Sequence, residues 1–301
     1  MVPVIDLLNL PEENGKLLAA CEGSGCFRVV NHGVPASLQA EMKAAVGSLF
    51  GLSDDVKRRN KDVIFGSGYR GPSPINPLFE AFGIYNAASL DDVGAFCSLL
   101  NASPHQREVI KRYASKLHAL AVSIASEIAE SMGLVGFSFK EWACLLRPNK
   151  YSFTKESVGS PGVFTHTDTS FLTLLQEDEC VGGLEMMDGP SGAFVAVDPV
   201  PGSFLVNIGD VGKAWSNGRL HNVKHRVICN KAVPRLSIAF FLLVPKDGKV
   251  EAPAELVDSS HPRLYRSFEY VEYRKLLLST KSFTGEALSL LADDAPGVTN
   301  V

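Results

Sequence analysis

The spacing of apolar residues predicts helices in the first half of the chain. Apolar positions three or four apart occur in the segment 37–52 and again in a long stretch that begins at Ser103 and Pro104. A serine caps the N-terminus of a helix and a proline suits its first turn, so this second start is well defined. The same periodicity then continues to about Met132, which predicts a long helix with one buried face.

Short strand-like runs replace this pattern from about residue 145 to Pro245. They are separated by Gly, Pro, Asp and Asn, and many short strands at close spacing are typical of a β-sandwich or barrel. Similar patterns predict two early strands and two late helices, at residues 2–7, 26–34, 267–280 and 285–291.

This organisation predicts two regions within one compact unit. Residues 1–144 would form an N-terminal mixed helical region with some strands, an α/β region. Residues 145–301 would form a mainly β core with helices at its C-terminal end. Nothing near residue 145 has the composition of a flexible linker, and 301 residues supply an ample hydrophobic core.

Composition and charge exclude several classes of function. The chain is 46% hydrophobic with a formal net charge of -4 and no basic block, which argues against a nucleic-acid partner. No apolar run reaches about eighteen residues and the N-terminus lacks a signal-peptide pattern, so no membrane association is expected. Six cysteines without a CxxC pair predict a reduced, cytoplasmic protein. A homo-oligomer is compatible with the sequence, which does not determine the oligomeric state.

Two metal-ligand residue types begin an apolar run in VFTHTDTSFLTLLQ, residues 163–176. His166 and Asp168 are two residues apart, so in a strand their side chains share a face. A lone His-x-Asp pair often arises by chance, and the alternative is a polar strand end. A second histidine group follows in WSNGRLHNVKHRV, residues 215–227. Two histidines and one carboxylate are the ligand set of a non-haem Fe(II) site, whereas structural zinc favours thiolates or four protein ligands.

A buried anion site is predicted in RLSIAF, residues 235–240. Arg235 and Ser237 share one face of an otherwise apolar strand, and a buried guanidinium requires an anionic partner. A guanidinium beside a hydroxyl can hold a carboxylate at two points. The alternative is an internal ion pair between Arg235 and a carboxylate of the protein.

These motifs, in this order, resemble those of the plant Fe(II)- and 2-oxoglutarate-dependent dioxygenases. VGGLE (181–185) and PGSFLVNIGD (201–210) extend the resemblance, and VPVIDL and CFRVVNHGVP resemble the N-terminal region of the family, so the likeness covers nearly the whole chain. Within the family, the chain looks closest to the auxin-oxidising dioxygenases. The narrower match is carried by a short N-terminus and by NPLFEAFGIYN (76–86), RPNKYSF (147–153) and SNGRLHNVKHRV (216–227).

The resemblance implies a double-stranded β-helix, or jelly roll, that binds Fe(II) and uses 2-oxoglutarate and O2 as co-substrates, with ascorbate as reductant. It implies three iron ligands: His166, Asp168 and His225. It further implies four residues around 2-oxoglutarate: Arg235, Ser237, Tyr151 and Asn149. The first two would hold the distal carboxylate of 2-oxoglutarate, and the phenol of Tyr151 would donate to the co-substrate.

His221 leaves the third iron ligand open. It lies four residues before His225 and has the same strand parity, and many relatives carry a lysine at this position. Strand geometry read from the sequence does not choose between the two histidines. The ten-residue gap to Arg235 favours His225, and His221 is interpreted as a structural or pocket-rim histidine.

A small aromatic acid is the expected substrate. Arg147 lies four residues before Tyr151 on one apparent strand, so it would point into the same cavity and bind a second anion. The alternative for Arg147 is a surface ion pair. Arg70 is a second candidate anchor, with a solvated loop arginine as its alternative. Three phenylalanines would contact the aromatic ring: Phe79, Phe153 and Phe164.

The expected reaction is oxidation of indole-3-acetic acid (auxin) at the indole C2 to 2-oxindole-3-acetic acid, which inactivates the hormone. A sibling dioxygenase acting on another small plant acid, such as a gibberellin, or on a flavonoid would have the same metal and co-substrate sites. A jelly roll that senses a small acid without turnover is the alternative of another class. The intact set of predicted iron and 2-oxoglutarate residues argues against such a sensor.

Overall fold

Strands alternate with helices along the computed structural model, which describes residues 2–10, 12–189, 191–245 and 247–293. The strands are β1 Val4–Asp6, β2 Cys26–Val30, β3 Phe79–Ala81, β4 Ile84–Tyr85, β5 Trp142–Tyr151, β6 Pro161–His166, β7 Leu172–Gln176, β8 Leu184–Met187, β9 Phe194–Ala196, β10 Phe204–Ile208, β11 His225–Ile228, β12 Arg235–Pro245, β13 Lys249–Val250 and β14 Phe268–Glu269. The α-helices are α1 Asn14–Glu22, α2 Ala36–Leu49, α3 Asp54–Lys57, α4 Leu90–Leu99, α5 Pro104–Ser131, α6 Asp210–Trp215 and α7 Tyr270–Thr280. Short 3-10 helices span Leu7–Asn9, Lys155–Ser157, Ala254–Leu256 and Glu286–Leu291.

Two sheets form the predicted jelly roll. The major sheet has the strand order β1-β2-β10-β7-β12-β5-β3, with β4 also paired to β5, and the minor sheet has the order β6-β11-β8-β9. The strands β5 to β12 supply four strands to each sheet, and β1 to β4 extend the major sheet. The fold-class prediction is therefore confirmed. The boundary predicted at residues 144 and 145 lies within β5, and strands from both sides of it share the major sheet.

The two faces of the major sheet have different neighbours because side chains alternate along each strand. On β12, the ring of Phe240 lies 6.4 Å from the ring of His118 on α5, so this face packs against the long helix. Arg235 and Ser237, of the other parity, line a cavity together with Leu184 of the minor sheet. One face of the major sheet therefore belongs to the hydrophobic core, and the other forms a cavity with the minor sheet.

The long helix begins as its sequence predicts. The Ser103 hydroxyl accepts a hydrogen bond from the Gln106 backbone N–H at 3.2 Å, and the Gln106 side chain accepts one from the Ser103 N–H at 2.7 Å. This reciprocal pair satisfies two N–H groups that would otherwise lack partners. In the first half of α5, the buried Tyr113 hydroxyl donates to Gln176 of β7 at 2.6 Å, which fixes the helix on the major sheet.

Some local structure departs from the sequence pattern. The apolar run at 285–291 predicts a helix, and it forms the 3-10 helix Glu286–Leu291, which a glycine with positive φ precedes. All six cysteines are free, and all except Cys180 are buried. Among the helices in the described part of the chain, none combines the length and apolarity needed to cross a membrane.

Candidate active site

Three predicted metal ligands converge from two strands and one loop. His166 ends β6 and His225 begins β11, and the antiparallel register places the two residues directly opposite each other. Asp168 lies in the loop two residues after β6. Its Oδ1 is 3.8 Å from the Nε2 of each histidine, and one ligand atom of each residue lies within 4.8 Å of the others. We call these three residues the triad.

Backbone carbonyls orient both imidazoles of the triad. Nδ1 of His166 is 2.8 Å from the Phe164 carbonyl oxygen, and Nδ1 of His225 is 3.2 Å from the Val223 carbonyl oxygen. A carbonyl can only accept, so each Nδ1 carries the proton and each Nε2 keeps a free lone pair. Burial, together with the neighbouring His225, lowers the pKa of His166 to about 4, so this imidazole is neutral near pH 7.

A hydroxyl orients the carboxylate of the triad in the same way. Thr173 of β7 donates to Oδ2 of Asp168 at 2.7 Å, and Ser170 lies 3.0 Å from the Thr173 hydroxyl. Oδ1, the oxygen that lies nearest the two histidines, is left to bind a cation.

The donor set fits ferrous iron. Two imidazole nitrogens and one carboxylate oxygen are the facial ligand set of non-haem Fe(II) sites, and this set leaves coordination positions for other ligands. Within the described ranges of the chain, no other group of three or more His, Cys, Asp or Glu residues brings its ligand atoms this close together. A closed structural zinc site, which needs four protein ligands, does not match three donors.

Strand register gathers the predicted co-substrate residues beside the triad. Arg235 of β12 pairs with Tyr151 of β5, and Ser237 pairs with Asn149. Residues opposite each other on neighbouring strands share a face, so all four side chains point the same way. They line a cavity of about 160 Å³ that the triad also borders. We call it the inner cavity.

Arg235 is a buried cation without an acidic partner in the described part of the protein. Its side chain is almost fully buried, and it donates to the Val181 carbonyl at 3.2 Å and to the Ser237 hydroxyl at 3.3 Å. No described carboxylate lies within 4.0 Å of it, and the nearby Glu177 is paired with Arg28. The internal ion pair considered as the alternative is therefore not formed, and a ligand carboxylate fits this guanidinium.

A second cavity of about 290 Å³ meets the inner cavity at the triad. The two cavities share His166, Asp168, Arg147 and Phe241. We call the second one the outer cavity, and its other walls come from the segment 64–67, the strand β12 and the helix α7. Its lining is mainly apolar with a few polar groups, which is typical of a site for a small organic molecule.

The two arginines proposed as substrate anchors differ in position. Arg147 lines both cavities, and its guanidinium donates to the Gly66 carbonyl at 2.6 Å. Burial, together with the neighbouring cations Arg70 and Arg274, lowers its pKa to about 10. Arg70 forms an ion pair with Asp62 at 2.6 Å and lines neither cavity. The structure therefore keeps Arg147 as a candidate anchor and removes Arg70.

The three phenylalanines predicted to contact the substrate ring also differ in position. Phe79 lines the inner cavity. Phe153 lines neither cavity, because β5 ends at Tyr151 and the Phe153 ring packs in a hydrophobic cluster, 5.6 Å from the Tyr151 ring. Phe164 lines neither cavity, because its side chain points outward from β6 and is 52% exposed. The outer cavity instead receives aromatic side chains from other segments: Phe65, Phe241, Tyr270 and Phe283.

His221 does not join the triad. Its backbone N–H donates to the Cys21 carbonyl at 2.9 Å, and its ring borders a separate cavity that Lys213 and Lys224 also line. Partial burial and these two lysines lower its pKa. The geometry thus selects His225 over His221.

Besides these aromatic side chains, sequence reasoning missed two polar residues of the site. Thr173 lies five residues after Asp168 within the quoted motif, and a search for a donor to the free carboxylate oxygen could have found it. Arg274 lies on α7, far along the chain from the triad, and lines the outer cavity. No local pattern in its helix indicates that this face covers the site.

Comparisons with known proteins agree with this geometry. The 2OG-Fe(II) oxygenase superfamily matches residues 142–244, and the family described as non-haem dioxygenase in morphine synthesis N-terminal matches residues 2–77. A 2-oxoglutarate-dependent dioxygenase DAO of Oryza sativa subsp. japonica is 60% identical over 296 residues, which cover 97% of this chain and 99% of that protein.

Solved structures of auxin-oxidising dioxygenases are also similar to this chain. The crystal structure of the dioxygenase for auxin oxidation in rice superposes with a TM-score of 0.91 and 59% identity, covering 97% of this chain and 100% of that chain. The 2-oxoglutarate complex of the dioxygenase for auxin oxidation 1 from Arabidopsis thaliana has a TM-score of 0.85 and 52% identity, covering 87% of this chain and 100% of that chain.

Proposed function

This chain belongs to the 2OG-Fe(II) oxygenase superfamily, and from that premise we propose that it inactivates auxin by oxidising indole-3-acetic acid to 2-oxindole-3-acetic acid. The balanced reaction consumes indole-3-acetic acid, 2-oxoglutarate and O2, and it yields 2-oxindole-3-acetic acid, succinate and CO2. One oxygen atom enters the indole and the other enters succinate. Ascorbate serves as the reductant that keeps the iron ferrous.

The observation that carries the proposal is a pair of cavities that meet at the triad, one lined by the buried Arg235 and the other by the half-buried Arg147, and no described carboxylate forms an ion pair with either arginine. Two such arginines fit a reaction in which two organic acids, 2-oxoglutarate and the substrate, bind next to one metal. The similarity to the rice dioxygenase for auxin oxidation supports an auxin as the second acid, which is the substrate.

The side chains have separate tasks in this proposal. The Nε2 atoms of both histidines and Oδ1 of Asp168 would hold Fe(II). Together with 2-oxoglutarate and O2, the iron would supply the oxidising chemistry that side chains lack. Arg235 and Ser237 would hold the distal carboxylate of 2-oxoglutarate, and Tyr151 and Asn149 would border it. These contacts fix the orientation of the co-substrate before the substrate enters.

The outer cavity would hold the substrate. The Arg147 guanidinium would bind the substrate carboxylate, and the aromatic side chains of this cavity would contact the indole ring. Exclusion of water by these apolar walls would protect the reaction from uncoupled turnover.

A turnover assay tests the proposal. Purified protein with Fe(II), 2-oxoglutarate, ascorbate and oxygen is supplied separately with indole-3-acetic acid, a gibberellin and a flavonoid. We expect one succinate for each 2-oxindole-3-acetic acid, identified by mass spectrometry, and labelled O2 should place one labelled atom in the indole product. Coupled turnover of the gibberellin or flavonoid alone would replace the substrate assignment. Absence of succinate with every acid, despite bound iron, would favour the non-catalytic sensor.

A further inference from the structure

The outer cavity contains a second arginine from an element that covers the site. Arg274 lies in the first half of α7, and Arg147 lies on β5. Both line the outer cavity, and the positive charge of Arg274 contributes to the lowered pKa of Arg147. The two guanidinium groups are therefore neighbours in space although Arg274 lies 127 positions after Arg147 in the chain.

Consecutive backbone carbonyls hold the two guanidinium groups beside each other. Nη2 of Arg274 donates to the Phe65 carbonyl at 2.6 Å, and Nη1 of Arg147 donates to the Gly66 carbonyl at 2.6 Å. Both acceptors are neutral. These bonds use part of each fork and neutralise neither charge, so donors of both arginines stay available to an anion.

A hydroxyl next to the metal site fixes the distance of Arg274 from the triad. Nη1 of Arg274 donates to Oγ1 of Thr169 at 3.1 Å, and Thr169 directly follows Asp168. The Thr169 hydroxyl also lies 2.9 Å from the Tyr270 hydroxyl, one turn earlier on α7. An anion bound to Arg274 would thus lie at a set distance from the iron.

No acid of the protein competes for these cations within the described residues. Asp168 is the one carboxylate in the described lining of the outer cavity, and it belongs to the triad. The neighbouring Asp62 forms its ion pair with Arg70. Two guanidinium groups in a largely apolar cavity repel each other, and a carboxylate between them would relieve this repulsion.

We propose that Arg147 and Arg274 bind the substrate carboxylate together, and that Arg274 determines the preference for an acid over a neutral analogue. This inference rests on the proposed function and specifies how that site selects its substrate. A carboxylate has two oxygens, and one guanidinium for each oxygen would orient the indole relative to the triad. The C-terminal helix is then part of the substrate site.

Variants of α7 test this inference. Arg274→Gln removes the charge and keeps hydrogen-bonding capacity, Arg274→Lys keeps the charge, and Lys275→Gln removes an exposed charge from the same helix as the control. Binding of indole-3-acetic acid and of indole-3-acetamide is measured by calorimetry on the anaerobic, Fe(II)- and 2-oxoglutarate-loaded proteins, and turnover is measured in parallel. We expect Arg274→Gln to weaken binding of the acid at least about tenfold, because it removes one partner of a desolvated charge pair.

The amide and the co-substrate make the result specific. In Arg274→Gln, the affinity for the amide and the KM for 2-oxoglutarate should each change less than about twofold. Arg274→Lys should recover part of the affinity for the acid, and Lys275→Gln should resemble the wild type. Equal losses for acid and amide, or an unchanged preference, would overturn the inference. A wild type that binds the acid and does not oxidise it would contradict the proposed function while the binding data still decide the role of Arg274.

Discussion

At the residue scale, each triad member uses one polar atom for the protein and keeps another for the metal. Backbone carbonyls engage Nδ1 of both histidines, and the Thr173 hydroxyl engages Oδ2 of Asp168. Such contacts orient ligands before the metal binds, so the affinity for iron depends on residues that never touch it. Thr173 is the one such contact made by a side chain, which makes it accessible to mutation.

Thr173→Val should lower the affinity for Fe(II) about 10–100-fold, because the carboxylate loses the donor that orients it. Valine has nearly the same shape as threonine, so the buried position keeps its packing, and Thr173→Ser retains the hydroxyl as the matched control. Anaerobic titration with Fe(II), or with Co(II) followed by absorbance, measures the affinity. Equal affinities in the valine and serine variants would show that the hydrogen bond does not orient Asp168.

Arg235 and Ser237 should differ strongly in their effects on 2-oxoglutarate. Truncating one partner of a buried charge pair costs roughly 3–5 kcal/mol, so Arg235→Ala should raise the KM for 2-oxoglutarate by a factor of a hundred or more. Losing the hydroxyl in Ser237→Ala removes one hydrogen bond, worth about 0.5–1.5 kcal/mol. Steady-state kinetics with each substrate varied in turn checks this. An Arg235→Ala enzyme with an unchanged requirement for 2-oxoglutarate would make Arg235 a structural residue.

At the element scale, the minor sheet approaches the co-substrate residues closely at a glycine of β6. A Cβ added to Gly162 would lie 2.7 Å from Cδ1 of Tyr151 and 2.9 Å from Cζ of Phe153. Both distances are shorter than a van der Waals contact, so any side chain at this position must displace the Tyr151 ring. The packing of one strand against another thus sets the position of a residue in the inner cavity.

Gly162→Ala should therefore raise the KM for 2-oxoglutarate several-fold and lower the free energy of unfolding by about 1–3 kcal/mol, the usual cost of overpacking. The KM for the aromatic acid should change less, because Tyr151 does not line the outer cavity. Gly189→Ala is the control, since no atom lies within 4 Å of its added Cβ. Kinetics and urea denaturation measure both effects, and indistinguishable variants would refute this account of the β6 contact.

At the scale of the whole molecule, the sequence predicts those features that depend on local periodicity. Many short strands predict a sandwich or barrel, which the family resemblance narrows to a jelly roll, and the capped start of α5 follows from Ser103 and Pro104. The place of Arg147 in the cavity follows from strand parity, since residues two apart share a face. The iron ligands needed the additional information of a family resemblance, because a His-x-Asp pair alone is common.

Features that depend on how distant segments meet could not be predicted in this way. Parity would also direct Phe153 inward, but β5 ends at Tyr151 and the following residues leave the sheet. The periodicity of α7 predicts a helix, whereas its position over the outer cavity is set by tertiary contacts such as the hydrogen bond from Arg274 to Phe65. The substrate wall is therefore the part of the site that the sequence described least well.

The stability of the whole metal-free protein should depend on pH through the triad. Burial lowers the pKa of His166 from 6.5 to about 4, so between these values the unfolded chain binds a proton that the folded protein does not. The free energy of unfolding should therefore fall as the pH falls from about 6.5 to 4. Asp210 acts in the opposite sense, because burial raises its pKa to about 6 and the folded protein then binds the extra proton.

His166→Gln isolates the histidine contribution, since Asp210 is present in both proteins and its effect cancels in the difference. The His166 side chain is 30% exposed, so solvent screening reduces the effect, and we expect the wild type to lose on the order of 1–2 kcal/mol more than the variant between pH 7 and pH 4.5. Urea denaturation of both metal-free proteins at the two pH values measures this. Parallel losses would mean that His166 titrates alike in the folded and unfolded states, and they would contradict this prediction.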